Sequence, residues 1–323
     1  MKAAVATDKG LEVRDIPKPQ PKPNEILVKV RAAGLNRADL NAARGAGGHG
    51  AVGATLGLDW AGEVVEAGNE VRGGFKPGDR VMCAGAGGYA EYAVADWGRV
   101  TPMPANFAFE QAATLPVAVA TMHDALVTNG RLKPGESVMI QGASAGVGLM
   151  ALQIAKLLGA RLVIGTSTNA ARRARLKEFG ADLAIDTSNP GWPDEVLKAT
   201  DGKGVNLIID QVSGSVANGN LKATAILGRI VNVGRLGGGK AEFDFDLHAA
   251  RRITYIGVTH RTRSVDELRE ETRVMWKDLK DAITAGKLHL PIDKTFPLEQ
   301  AAAAHAHMKA NQHFGKILLV PPI

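Results

Sequence analysis

The spacing of apolar positions along the chain changes character once, near residue 107. Before that point apolar and polar residues alternate with the period of two that half-buried strands require. Ile26–Ala32 is such a stretch, Gly62–Gly68 a second, Lys76–Val81 a turn into a third, and Tyr89–Val94 a fourth. Pro17, Pro19, Pro21 and Pro23 exclude helix and central strand, and predict a rigid connection. After residue 107 short apolar runs alternate with helical segments. Helices are predicted at Phe109–Leu115 and, past Pro116, through Asn129. Strands are predicted at Ser137–Ile140, Arg161–Gly165, Leu183–Ile185, Val205–Ile209, Arg229–Val233 and Thr254–Val258, with helices at Ala170–Phe179, Asp194–Thr200 and Val216–Ala225 between them. Short apolar strands separated by helices imply a parallel sheet with right-handed crossovers. A long amphipathic helix, Asp266–Gly286, a helix Leu298–Ala310 and a strand Ile317–Val320 then return the chain to the first region.

One turn carries chemistry. The strand Ser137–Ile140 runs through Gln141-Gly142-Ala143-Ser144-Ala145-Gly146-Val147-Gly148 into an apolar helix. A helix N-terminus at the end of a strand presents unpaired N–H groups and a partial positive charge, which suits a pyrophosphate. Against the pattern G-x-G-x-x-G, Ala143 stands at the first glycine and Ala145 at the middle one. About 20 residues further on, where an NAD enzyme carries a carboxylate for the ribose hydroxyls, this chain has Ser167, with Arg172 and Arg173 following. A carboxylate would repel a 2′-phosphate, whereas a hydroxyl and a guanidinium would bind one. The expected cofactor is therefore NADPH. Two adjacent helical residues cannot both face it, so one arginine is expected to be surface charge. The expected cofactor-binding residues are Gly142, Ser144, Ala145, Gly146, Val147, Gly148, Ser167 and Arg172, with Thr187, Gln211, Gly234 and Arg235 beyond the later strands.

Composition narrows the class. The 323 residues are 45% hydrophobic and 22% charged, enough for one large domain or two ordinary ones. A single cysteine, Cys83, excludes an internal disulfide and a cysteine-built zinc lobe, and suits a reducing cytoplasm. Met1–Ala6 lacks the apolar stretch of a signal peptide, and no run approaches the ~18 apolar residues of a membrane span. The net charge of +6 is spread thinly, without a basic block, which argues against a nucleic-acid partner.

Beyond the turn, Ala33-Gly34-Leu35-Asn36-Arg37-Ala38-Asp39, Gly57-Leu58-Asp59-Trp60-Ala61-Gly62, Gly88-Tyr89-Ala90-Glu91-Tyr92, Leu115-Pro116-Val117, Gly234 and His313-Phe314-Gly315-Lys316-Ile317 recur in order. With them the whole chain resembles the medium-chain dehydrogenase/reductase superfamily, in its zinc-free quinone oxidoreductase (zeta-crystallin-like) branch. The resemblance implies an α/β protein: a GroES-like β-rich catalytic domain (residues 1–118 and 260–323) plus a doubly wound Rossmann domain (119–259), with the active site in a cleft and a homodimer paired near Ile253–Val258. The positions matching the zinc ligands of the metal-dependent branch are Asn36, Leu58 and Val117, and two of these cannot ligate zinc. His305 and His307, two apart on a helix, do not share a face. No metal site is expected.

Without a Lewis acid the chemistry moves toward reduction of an electrophilic acceptor, a quinone or an α,β-unsaturated carbonyl. Neutral donors then stabilise the developing oxyanion. The resemblance places Asn36 near the nicotinamide; Asp39 orients the loop or a ribose, and Thr121 is a third catalytic candidate. Thr121 reads equally as a packing hydroxyl, and His123 as a cleft or a buried residue. Tyrosines common in the family after the Asn36 loop are missing, and the glycine-rich Arg44–Gly50, with His49, reads as a substrate lid or an ordinary loop. Arg235, Arg261 and Arg263 either face the cleft and favour an anionic substrate or are solvated charge. Three functions remain open: an NADPH-dependent quinone or enone reductase, a zinc-free enoyl-thioester reductase or other carbonyl dehydrogenase, and a non-catalytic NADPH-binding structural or RNA-binding protein.

Overall fold

The structure is a computed structural model that describes residues 1–43 and 52–322. The chain runs β1 (Lys2–Thr7), β2 (Gly10–Asp15), β3 (Glu25–Gly34), α1 (Arg37–Ala42), β4 (Asp59–Ala67), β5 (Arg80–Ala84), β6 (Tyr92–Asp96), β7 (Val100–Pro102), α2 (Phe109–Ala112) and α3 (Pro116–His123). After a π-helical turn, Asp124–Asn129, come β8 (Ser137–Gln141), α4 (Gly146–Leu157), β9 (Leu162–Thr166), α5 (Ala170–Ala174), β10 (Leu183–Ile185), α6 (Trp192–Ala199) and β11 (Val205–Asp210). Then follow α7 (Ala217–Ala223), β12 (Thr224–Asn232), α8 (Phe245–Arg251), β13 (Thr254–Gly257), α9 (Val265–Thr284), β14 (Ile292–Pro297), α10 (Ala301–Lys309) and β15 (Lys316–Val320). These elements form two compact units, Met1–Ala120 with Arg261–Ile323, and Thr121–His260. No described helix is long and apolar enough to cross a membrane.

In the first unit one sheet has the order β14-β15-β3-β4-β5-β7, with β6 also on β3. Its pairings are antiparallel except β14 with β15. The returning β15 thus enters the sheet beside β3, its Leu318 opposite Gly34. The core beneath holds Ile26, Val28, Trp60, Val81, Tyr89, Ile317 and Leu319. Pattern reading misses the β1–β2 hairpin, because Ala3-Ala4-Val5-Ala6 carries little β-propensity. Pairing of Lys2–Thr7 with Gly10–Asp15 and burial of the alanines override it.

In the second unit six parallel strands take the order β10-β9-β8-β11-β12-β13. Numbered within the unit this is 3-2-1-4-5-6, the dinucleotide-binding order, whose reversal falls between β8 and β11. Two predicted elements change. The helix expected over Ala170–Phe179 breaks after Ala174 and continues as a 3₁₀ turn, Leu176–Phe179, closed by Gly180 at φ +103°. β12 starts at Thr224, five residues early, because its register on β11 jumps from Thr224 to Arg229 and extrudes Ile226 and Leu227.

The strand ends at the reversal are tied by a buried polar chain. Thr166 Oγ1 donates to Gln141 Oε1 at 2.8 Å, Gln141 Nε2 to Asn220 Oδ1 at 2.7 Å, and Asn220 Nδ2 to Asp210 Oδ2 at 2.9 Å. The other Asp210 oxygen accepts from the backbone N–H groups of Val212 and Ser213. Burial pushes the Asp210 carboxyl above the usual range, against the pull of these three donors and of the Arg235 charge. Asn220→Leu orphans both Gln141 Nε2 and Asp210 Oδ2. It should destabilise by roughly 2–6 kcal/mol, the sum of two such groups, in urea unfolding. A loss within 0.5 kcal/mol of zero, small on the scale of any such group, would contradict the network's role.

Candidate active site

The phosphate turn explains its own departures from the glycine pattern. The left-handed residue is Gly142, at φ +70°, so the tight turn begins one residue before the first glycine position and Ala143 needs no special backbone. Ala145 is the N-cap of α4 at φ −75° and ψ 156°, extended backbone that alanine adopts freely. Gly148 is obligatory, because a Cβ there would lie 2.6 Å from the Gly142 carbonyl oxygen. Gly142 N–H donates to Thr166 Oγ1 and Ala143 N–H to the Thr166 carbonyl, which fastens the turn to β9. Gln211 Nε2 donates to the Gln141 carbonyl from the β11 side, and a Cβ on Gly234 would meet the Gln211 carbonyl oxygen at 2.8 Å. Gln211 and Gly234 are thereby brought to the turn. Ser144 and Ser167 hydroxyls lie 3.0 Å apart, joining the turn to the end of β9.

The two arginines separate. Arg173 Nη1 donates to the Ser167 carbonyl at 2.8 Å and pairs with Asp186 at 3.0 Å, so its charge is spent in structure. Arg172, beside it on α5, has its backbone N–H capped by Asn169 Oδ1 at 3.0 Å. Thr187 lies in the turn formed where Asp186 accepts from Ser188, beside this pair. Arg235 is exposed, its guanidinium near the Val233 carbonyl. These residues fit a nicotinamide dinucleotide.

In the first unit the sheet buries an ion cluster that periodicity does not signal. Lys316 Nζ donates to Asp59 Oδ2 at 2.7 Å and to Asn36 Oδ1 at 3.0 Å. Asn36 Nδ2 donates to the same Asp59 oxygen at 3.0 Å and more loosely to the Gly34 carbonyl at 3.4 Å. The second Asp59 oxygen accepts from Val117 N–H at 2.7 Å, at the start of α3, where a carboxylate is favoured. The Lys316 and Asp59 side chains are 4% and 0% exposed. Gly34 makes the approach possible, since a Cβ there would meet Lys316 Cε at 3.1 Å and Asp59 Cβ at 3.2 Å. A second branch follows: Asp39 Oδ2 accepts from Asn36 N–H and from the Tyr89 hydroxyl, each at 2.8 Å. Burial raises the Asp39 carboxyl to about 7, opposed by Tyr89, the Asn36 N–H and Lys316.

Asn36 and Asp39 are thus placed together, with Asp39 orienting the Asn36 loop, whereas Thr121 begins the second unit. His123 is buried in the second unit. Arg263 is paired with Glu271 at 2.7 Å. The Arg44–Gly50 segment and His49 lie outside the described residues. Of the zinc-ligand positions, Leu58 and Val117 offer no ligand atom and the Asn36 oxygen already accepts from an ammonium that would repel a cation. The residues do not fit zinc. His305 and His307 diverge, one packed edge-on to Tyr89 at 5.8 Å, the other on Asp293 at 2.9 Å. Sequence reasoning passed over Asp59, Tyr89 and Lys316 as chemistry. The available signal was a charge heading an otherwise apolar strand, Lys316-Ile317-Leu318-Leu319-Val320.

Two family models match: an alcohol dehydrogenase GroES-like domain over residues 22–105, and a zinc-binding dehydrogenase domain over 146–278. The chain is 32% identical over 322 residues to a quinone oxidoreductase of Pseudomonas aeruginosa, covering 99% of this chain and 98% of that one. It is 30% identical over 315 residues to a phenolphthiocerol/phthiocerol polyketide synthase subunit of Mycobacterium tuberculosis, of which it spans only 14%. The Escherichia coli quinone oxidoreductase solved in complex with NADPH superposes with a TM-score of 0.88 at 25% identity, over 99% of each chain.

Two measurements probe the cluster. Lys316→Met leaves Asp59 buried without its cation and should cost about 3–5 kcal/mol, of which the double change with Asp59→Asn recovers part. Equal stability of the three proteins in denaturant would contradict the buried pair. Asp39 has a folded pKa near 7 and an ordinary value of 3.8, so the folded state holds the extra proton between them. Its contribution therefore falls as pH rises from about 4 to about 7 and is flat above. Asp39→Asn should gain on the wild type by a few kcal/mol across that window. A pH-independent difference would contradict the raised carboxyl.

Proposed function

Since the chain belongs to the quinone oxidoreductase branch of the medium-chain dehydrogenase/reductases, oxidoreductases that bind a nicotinamide cofactor, we propose that it reduces quinones or α,β-unsaturated carbonyl compounds with NADPH and without a metal. The observation that carries this reading is the Lys316 ammonium on the Asn36 oxygen, which places a fixed organic cluster where a metal-dependent relative needs ligands. Bound NADPH supplies a hydride to the acceptor. The chain's own residues do the rest. The α4 N-terminus, with Gly142, Ser144, Ala145, Gly146, Val147 and Gly148, neutralises the pyrophosphate. Ser167 and Arg172 take the 2′-phosphate, and Thr187, Gln211, Gly234 and Arg235 complete the cradle. Asn36 is the catalytic donor: its bond to the Gly34 carbonyl, at 3.4 Å, is the loosest of the cluster, and a substrate oxygen competes for that N–H. Asp39 holds the loop, and Thr121 is a further donor.

The likeness to part of a polyketide synthase subunit favours one second acceptor, an α,β-unsaturated thioester. A homodimer accords with β13, which ends the parallel sheet and carries the partly exposed Tyr255, packed edge-on to Phe243. A cytoplasmic location accords with the lone buried Cys83.

The test is to follow oxidation of NADPH with a panel of quinones, enones and enoyl thioesters. Turnover with at least one acceptor, and retained activity after chelation, is expected. Tight NADPH binding with no turnover by any acceptor would overturn the reading. Arg172→Ala should weaken NADPH binding about 10-fold or more, the loss of one charge-assisted hydrogen bond, and leave NADH unchanged. Equal affinity of the wild type for the two cofactors would contradict the phosphate assignment.

A further inference from the structure

The cluster does more than fill space around Asn36. A carboxamide buried in a neutral pocket can turn over, exchanging its oxygen and nitrogen, and only its hydrogen-bond partners decide between the two orientations. Here both partners of the choice are charged. The Asn36 oxygen accepts from Lys316 Nζ and the Asn36 nitrogen donates to Asp59 Oδ2. Turned over, the amide would set its N–H groups against an ammonium and its oxygen against a carboxylate, two repulsive contacts in place of two charge-assisted bonds. The pair itself is fixed: Asp59 is held by the Val117 N–H on its other oxygen, and Lys316 heads a strand paired on both sides.

We infer that Lys316 is a positioning residue, whose buried ammonium, anchored on Asp59, locks the Asn36 carboxamide with its nitrogen as the group offered to substrate. The inference rests on the reductase reading only for its catalytic consequence; the locking itself is independent of any activity. The charge of Lys316 is balanced by Asp59, so the lock adds no net cation beside the donor. Lys316 itself is 96% covered and acts through Asn36 rather than on substrate.

The experiment uses the full chain labelled with ¹⁵N-asparagine, with Asn36→Ala to assign the Asn36 side-chain signal. In the wild type the Asn36 carboxamide protons should give one dispersed pair that exchanges slowly with water. Lys316→Met should collapse that protection at least 10-fold, as should the charge-balanced Lys316→Met/Asp59→Asn, which removes the lysine without leaving a buried carboxylate unpaired and serves if the single variant fails to fold. Lys316→Arg, which keeps the cation, should retain part of it. In the NADPH-dependent assay the same variants should lose at least 10-fold in kcat with KM for NADPH unchanged. Unaltered protection of Asn36 in a folded variant lacking Lys316 would overturn the lock. Lost protection with wild-type kcat would overturn its part in the reduction. A wild type that oxidises no NADPH refutes the reductase reading instead, while the exchange measurement still decides the lock.

Discussion

The first unit is organised around one buried ion pair, Lys316 on Asp59. A carboxylate and an ammonium removed from water are costly unless each remaining lone pair and proton is satisfied. Here the backbone of α3, the amide of Asn36 and the small Gly34 supply that satisfaction. The pair therefore fixes three things at once: where β15 enters beside β3, where α3 begins, and which way Asn36 faces. Tyr89 and Asp39 extend the same cluster beneath α1, through donors that compete with burial for the Asp39 proton.

The second unit solves a different problem, presenting bare backbone N–H groups to an anion. Its means are a left-handed Gly142, a close-packed Gly148 and the polar chain Thr166–Gln141–Asn220–Asp210 under the strand ends. Glycine is dispensable at Ala143 and Ala145 because Gly142 takes the left-handed position and Ala145 sits in extended backbone. The pairing of Arg173 with Asp186 ties α5 to the end of β10.

Much of the second unit is legible in sequence because its parallel strands are buried on both faces and read as continuous apolar runs. The turn was legible for the same reason: it follows such a run. What escaped was set by distant contacts. The alanine-rich β1 is a strand only because β2 and the core claim it, and the early start of β12 reflects a register jump that extrudes Ile226 and Leu227. In the site, Asn36 and Asp39 are close in sequence and were read together. Lys316, 280 residues from Asn36, joins them only through strand pairing, and a lysine at the head of an apolar strand does not by itself name the residues it will meet.

The most direct test of the account is a crystal structure with NADPH and an unreactive quinone or enone analogue. The account predicts the pyrophosphate at the α4 N-terminus, the 2′-phosphate on Ser167 and Arg172, and the analogue's oxygen within hydrogen-bond distance of Asn36 Nδ2, with Lys316 still on Asp59. An analogue oxygen held by another group, or a metal bound through the Asn36 oxygen with Lys316 displaced, would contradict it.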